Sequence, residues 1–97
     1  MEPDKIEVEH NADESRFEVA LDGKLALLNY RLMGTSIAFI HTEVPADFEG
    51  RGIGGKLALA GLEYARTSGL TVVPKCPFIA GYIARHPEYA DLVALHH

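Results

Sequence analysis

Cysteine is nearly missing from this chain: Cys76 stands alone among 97 residues. One thiol excludes an internal disulfide framework, and no Cys/His cluster has the spacing of a zinc site, so a reducing, cytoplasmic compartment and no metal are expected. Long apolar runs are lacking too. Nothing approaches the roughly 18 apolar residues of a membrane-spanning helix, and the acidic start Met1-Glu2-Pro3-Asp4 is unlike a signal peptide, so no membrane partner is expected. Positive charge is scarce: nine Lys and Arg face 14 Asp and Glu, for a formal net charge of −5. A nucleic-acid duplex would call for a dense basic face that this chain does not have. The deficit is uneven, with −6 on residues 1–48 and +1 on residues 49–97. An anionic ligand is easier to place on the second half. The length suits a single domain over residues 1–95, with His96-His97 as a tail or tag remnant.

Glycine, by contrast, is concentrated in Glu49-Gly50-Arg51-Gly52-Ile53-Gly54-Gly55-Lys56. Bare backbone lets N–H groups approach a bound anion, and a helix starting behind them adds its positive dipole end. Gly50, Gly52 and Gly55 fit a Gly-x-Gly-x-x-Gly fingerprint, and Gly50, Gly55 and Lys56 nearly fit a phosphate loop. Context rejects both. Leu57 stands where the phosphate loop needs Ser or Thr, and no acid occurs around Thr71 to Lys75, where a dinucleotide fold expects one about 20 residues on.

The surrounding pattern predicts four strands before the loop. Ile6 and Val8 alternate with charges over Lys5 to His10, and Asn11 to Glu14 has turn composition. Phe17, Val19 and Leu21 alternate in a second strand, which Asp22-Gly23 turns back as a hairpin. The third runs from Lys24 to Leu32, with Ala26, Leu28, Tyr30 and Leu32 on one face and Leu25, Leu27, Asn29 and Arg31 on the other. The fourth, Thr35 to Val44, sets Ile37, Phe39, His41 and Glu43 on one face and Ser36, Ala38, Ile40 and Thr42 on the other. A helix is expected from about Gly52 to Thr67, with Ile53, Leu57, Gly61 and Ala65 forming its apolar stripe and Gly69 ending it. Leu70 to Val73 reads as a short buried strand. Pro77 opens a second helix that Pro87 ends near Arg85, and Pro87 to Leu95 adds a helical turn. The fold class is therefore α+β, an antiparallel four-stranded meander followed by α-β-α.

Glu49-Gly50-Arg51-Gly52-Ile53-Gly54 resembles the Gln/Arg-x-x-Gly-x-Gly/Ala pyrophosphate loop of GCN5-related N-acetyltransferases. The chain is most similar to small, minimal members carrying four strings in order. These are His-Thr-Glu-Val-Pro, Gly-Arg-Gly-Ile-Gly, Cys-Pro-Phe and Arg-His-Pro-Glu-Tyr, which stand here at His41, Gly50, Cys76 and Arg85. The resemblance implies a fourth and fifth strand that run parallel and splay apart, with acetyl-coenzyme A as cosubstrate in the opening. Two departures stand out. Glu49 replaces the usual Gln or Arg, and no helical pair follows the first strand, so an acceptor pocket would be open, shallow or completed by a partner.

On that resemblance, the backbone from Arg51 through Gly52, Ile53, Gly54 and Gly55 to Lys56 would bind pyrophosphate. Val44 and Pro74, at the splayed strand ends, would pair with the pantetheine arm, Phe78 would pack against it, and Arg85 would reach the ribose 3′-phosphate. His41 is the candidate base, because an imidazole titrates near neutral pH. Glu43 would orient it or act in its place. Cys76, at a helix start beside Lys75, is expected to ionise readily. It would either carry the acetyl group covalently or protonate the departing thiolate, with Tyr82 as the alternative donor. The implied activity is acetyl transfer from acetyl-coenzyme A to an amine acceptor, for which an acidic surface suits a cation. A coenzyme A-binding module without efficient catalysis is the alternative, and an interaction protein with an incidental anion site a third. Apolar residues on both faces of the third strand leave monomer and weak dimer open.

Overall fold

The computed structural model describes residues 6–48 and 50–93, so Lys5, Glu49, Leu95 and His96-His97 lie outside the described residues. Its elements are β1 (Glu9–Asn11), β2 (Arg16–Leu21), β3 (Lys24–Met33), β4 (Ser36–Glu43), α1 (Ile53–Thr67), β5 (Thr71–Pro74) and α2 (Pro77–Arg85). Short 3₁₀ helices occupy Ala46–Phe48 and Pro87–Leu92. The sheet order is β1-β2-β3-β4-β5; the first four strands are antiparallel neighbours, and β5 joins β4 in parallel. Thus α1 is the crossover that a parallel pair requires.

Alternation places Phe17 and Val19 of β2 beside Leu28 and Ala26 of β3, and all four are buried. The stripe of α1, with Leu57, Ala58 and Leu62 fully buried, covers this face. Gly61 makes the contact close. A Cβ there would stand 2.9 Å from the Phe39 ring and 3.0 Å from Leu28. Helix α2 lies on the same side of the sheet, because Phe78 and Tyr82 pack over Gly54 and Gly55 of α1. The opposite face, with half-buried Leu25 and Leu27 and exposed Ile40, carries no helix among the described residues.

Three expectations need correction. The first strand forms at Glu9–Asn11 rather than Lys5 to His10; Ile6 and Val8 instead pack along the core edge, and the turn shifts to residues 12–15. Leu32 shares the face of Tyr30 by alternation but is 52% exposed, because cover ends at Tyr30 and Arg31 to Met33 are all exposed. The third concerns β4. His41 pairs with Asn29 and Phe39 with Tyr30, which leaves Ile40 unpaired as a β-bulge. One extra residue reverses the alternation beyond it. His41 and Glu43 therefore face away from Phe39, while Thr42, opposite buried Leu28, turns towards the core.

Candidate functional site

The glycine loop is held from below. Pro45 to Phe48 makes a hydrogen-bonded turn, Phe48 is 1% exposed, and Arg51 N–H donates to the Phe48 carbonyl at 3.3 Å. Gly50 and Gly52 adopt φ of 81° and 72°, a left-handed conformation that side chains with a Cβ rarely take. Gly52 is the N-cap of α1, and the first helical bond runs from Lys56 N–H to the Gly52 carbonyl at 3.1 Å. The N–H groups of Ile53, Gly54 and Gly55 precede that bond, and Gly52 has no side chain to cap them. They are donors at the positive end of a 15-residue helix.

These donors open on a cleft of about 280 Å³ walled by Val44, Phe48, Phe78 and the Gly52–Gly55 backbone. A Cβ on Gly54 would lie 2.8 Å from the Phe78 ring, so the absent side chain admits the ring against the loop. Phe78, 38% exposed, forms an apolar wall beside the N–H groups. A second cleft of about 300 Å³ meets the first at Gly50 and is lined by Ile6, Arg51 and Lys56.

Strand pairing stops at Phe39 and Pro74, although β4 continues to Glu43. Cys76 N–H donates to the Phe39 carbonyl at 2.8 Å, and the strands part beyond it. Across the opening, Cys76 Sγ lies 3.2 Å from Thr42 Oγ1. Cys76 is 3% exposed at the N-cap of α2. His41 and Glu43 stand on the other side of the opening, both well exposed, with His41 Nε2 3.7 Å from Glu43 Oε1. Tyr82 is buried and stacked on His86 at 4.1 Å between ring centroids; burial pushes its phenol pKa up, so it keeps its proton at neutral pH. The Arg85 guanidinium folds back over Gly81. Among the described residues no three His, Cys, Asp or Glu side chains converge as a metal would require.

A sequence profile described as GCN5-related N-acetyl-transferase matches residues 16–92. The chain belongs to the GCN5-related N-acetyltransferase family. Protein NATD1 of Gallus gallus is 36% identical over 85 residues, which cover 84% of this chain and 77% of that protein. NATD1 of Homo sapiens is likewise 36% identical, with 84% of this chain and 75% of that protein covered. A solution structure from Staphylococcus aureus, described as GCN5-like, superposes with a TM-score of 0.73 at 29% identity, covering 94% of this chain and 91% of that one. In this GCN5-related domain the parallel β4 and β5 splay, as expected for the family.

The structure gathers Val44, Gly52, Ile53, Gly54, Gly55 and Phe78 at one cleft and sets Arg51 and Lys56 in the adjoining one. Pro74 marks the point of divergence, with Cys76 just beyond it. Thr42 escaped the sequence reading because plain alternation put it on the other face. Its place inside the His-Thr-Glu-Val-Pro string was the available signal.

Proposed function

We propose that this protein transfers an acetyl group from acetyl-coenzyme A to an amine. The observation that carries the reading is the make-up of the cleft: uncapped N–H groups at the start of α1 stand beside the Phe78 wall, and Val44, just past the point where β4 and β5 part, lines the same cleft. Acetyl-coenzyme A supplies an acyl group activated as a thioester. The Gly52–Gly55 N–H groups are assigned to its pyrophosphate, and the strand edges from Val44 and Pro74 to the amides of its arm.

Acetyl-coenzyme A and acceptor would then approach the opening from opposite faces. Helices cover the Thr42 and Cys76 side, whereas the His41 and Glu43 side is exposed. His41 is assigned the proton that the attacking ammonium must lose, and Glu43 holds the imidazolium that results. As the new C–N bond forms and the C–S bond breaks, the departing thiolate takes a proton from Cys76 or, as the second donor, from Tyr82, and the second proton that the nitrogen sheds in becoming an amide restores that donor. Burial of Cys76 against Thr42 favours this donor role over a covalent acetyl-cysteine. The lone buried thiol also supports a reducing, cytoplasmic setting.

The uncovered sheet face favours one other reading, a coenzyme A-binding module without efficient turnover, since nothing described there walls an acceptor. Mass spectrometry of the protein with acetyl-coenzyme A and a panel of amines separates the two: acetylated amine is expected, and binding without product would favour the module. An acetyl adduct on Cys76 would restore the covalent route. The proposal further predicts that His41→Ala lowers turnover by about 10²-fold or more with little change in coenzyme A affinity, read from kcat and from calorimetry.

A further inference from the structure

We propose that Thr42 is a positioning residue for the proton transfer: its hydroxyl fixes the Cys76 thiol and supports the thiolate that remains once the thiol has given up its proton. The inference rests on the proposed function, because it takes Cys76 as the donor to the departing coenzyme A. The two residues stand on different elements, 34 positions apart in sequence, and meet through Thr42 Oγ1 and Cys76 Sγ at 3.2 Å. Each lies two positions from a residue that walls the cleft, Thr42 before Val44 and Cys76 before Phe78. Plain alternation would have left Thr42 on the open face, out of reach of the thiol. The unpaired Ile40 turns it back, so the contact is a consequence of the bulge.

What the hydroxyl supplies follows from what the backbone leaves undone. Cys76 N–H donates to the Phe39 carbonyl at 2.8 Å, and the Cys76 carbonyl accepts from Ala80 N–H at 3.0 Å, so the main chain is held by β4 on one side and α2 on the other. The thiol still has a free torsion with several staggered positions, and one hydrogen bond can select among them. Threonine suits this task because its branched Cβ stiffens its own torsion on a strand. Its O–H is also the better donor, since S–H donates weakly. With Thr42 O–H donating to the sulfur, the Cys76 proton is free to point elsewhere. In the transfer step an electron pair of the departing coenzyme A sulfur takes that proton, and the S–H bonding pair stays on Cys76 as a thiolate that can only accept. Thr42 O–H is already directed at it, and a hydrogen bond to a charged group is the stronger kind. The proton that the nitrogen sheds in becoming an amide then restores the thiol, leaving Thr42 unchanged.

Steady-state kinetics of the full chain with acetyl-coenzyme A, using poly-L-lysine and spermidine as amine probes, tests the assignment, with circular dichroism of every variant. Thr42→Val keeps the shape and removes the hydroxyl, and should lower kcat about tenfold with little change in the KM for acetyl-coenzyme A. Thr42→Ser should recover most of that loss, and Thr42→Ala should reproduce it if valine disturbs the fold. The sharpest comparison is made without the thiol. On the rate left in Cys76→Ala, where Tyr82 is the remaining donor, adding Thr42→Val should cost at most about twofold, because the hydroxyl acts through the sulfur. Full turnover in Thr42→Val or in Cys76→Ala would overturn the assignment, as would failure of serine to restore the rate or a loss of the same size with and without Cys76. If the parent acetylates neither amine, the proposed function and this assignment fall together, whereas an active parent with an unaffected Thr42→Val variant removes only Thr42 from the mechanism.

Discussion

A Cβ on Gly54 would come within 2.8 Å of the edge of the Phe78 ring, so this residue serves packing and, on the proposed function, ligand access as well. Gly54→Ala and Gly54→Asp separate the two roles. Alanine should displace the half-exposed ring and weaken acetyl-coenzyme A a few-fold, whereas aspartate adds a carboxylate beside the N–H groups assigned above to pyrophosphate and should weaken it by at least about tenfold. Calorimetry with circular dichroism reads both, and equal losses would mean that the ring alone matters. Gly52 is a poorer test, since its φ of 72° penalises any side chain. At the far end of the sheet, His10 stacks on Phe17 at 4.3 Å, faces Tyr64 at 4.5 Å and shares a 2.6 Å hydrogen bond with the Tyr30 hydroxyl. His10 is exposed on one side, but the Phe17 and Tyr64 rings shield the other from water, and this partial desolvation lowers its pKa below the ordinary 6.5. The unfolded chain therefore takes up the proton first, and stability falls as pH drops through 6.5 towards the folded value. Urea denaturation at pH 7.5 and pH 5.5 should show this loss, and His10→Phe should reduce it without abolishing the fold.

Helix α1 and its loop were readable from sequence because amphipathic spacing, glycine density and Gly69 agreed on one element, which formed at Ile53–Thr67. The hairpin at Asp22-Gly23 was equally plain, since both residues take the positive φ that such a turn needs. Strand β4 was legible as a strand but not in its facing. Ile40 is as apolar as the residues around it, and nothing in its chemistry marks it as the one that slips out of register. The slip sends His41 and Glu43 to one face and Thr42 to the other, so the candidate base was legible as a residue while its surroundings were not. The fit of helix to sheet depends on a single hydrogen at Gly61. Phe39 and Leu28 are fully buried and cannot swing away as Phe78 can. Gly61→Val should therefore destabilise the protein by about 1–3 kcal/mol through overpacking, seen as a lower denaturant midpoint. An unchanged midpoint would mean that α1 lifts from the sheet at little cost.

Over the whole molecule, four of the five strands follow one another along the chain and pair with their immediate neighbours, so short turns suffice to assemble them. The parallel pairing of Phe39 with Pro74 is different, because α1 must form and return before it can close. Order of strands and the need for a crossover between parallel ones follow from such general rules, which is why the architecture was legible when the bulge was not. That late closure also sets the sequence of events in folding: the meander can associate first, and the opening between β4 and β5 exists only after β5 has docked. Amides of β5 should then exchange with solvent through a cheaper local opening than those of β2 and β3. A ligand held in the opening binds only the docked state, so acetyl-coenzyme A should slow exchange in β5 selectively before it alters the meander. Hydrogen exchange read by mass spectrometry would show this as protection confined to the peptides spanning Thr71 to Pro74 and the loop. Uniform protection would instead mean that the sheet opens as one unit, and that the crossover which shapes the cleft is as firmly built as the strands that precede it.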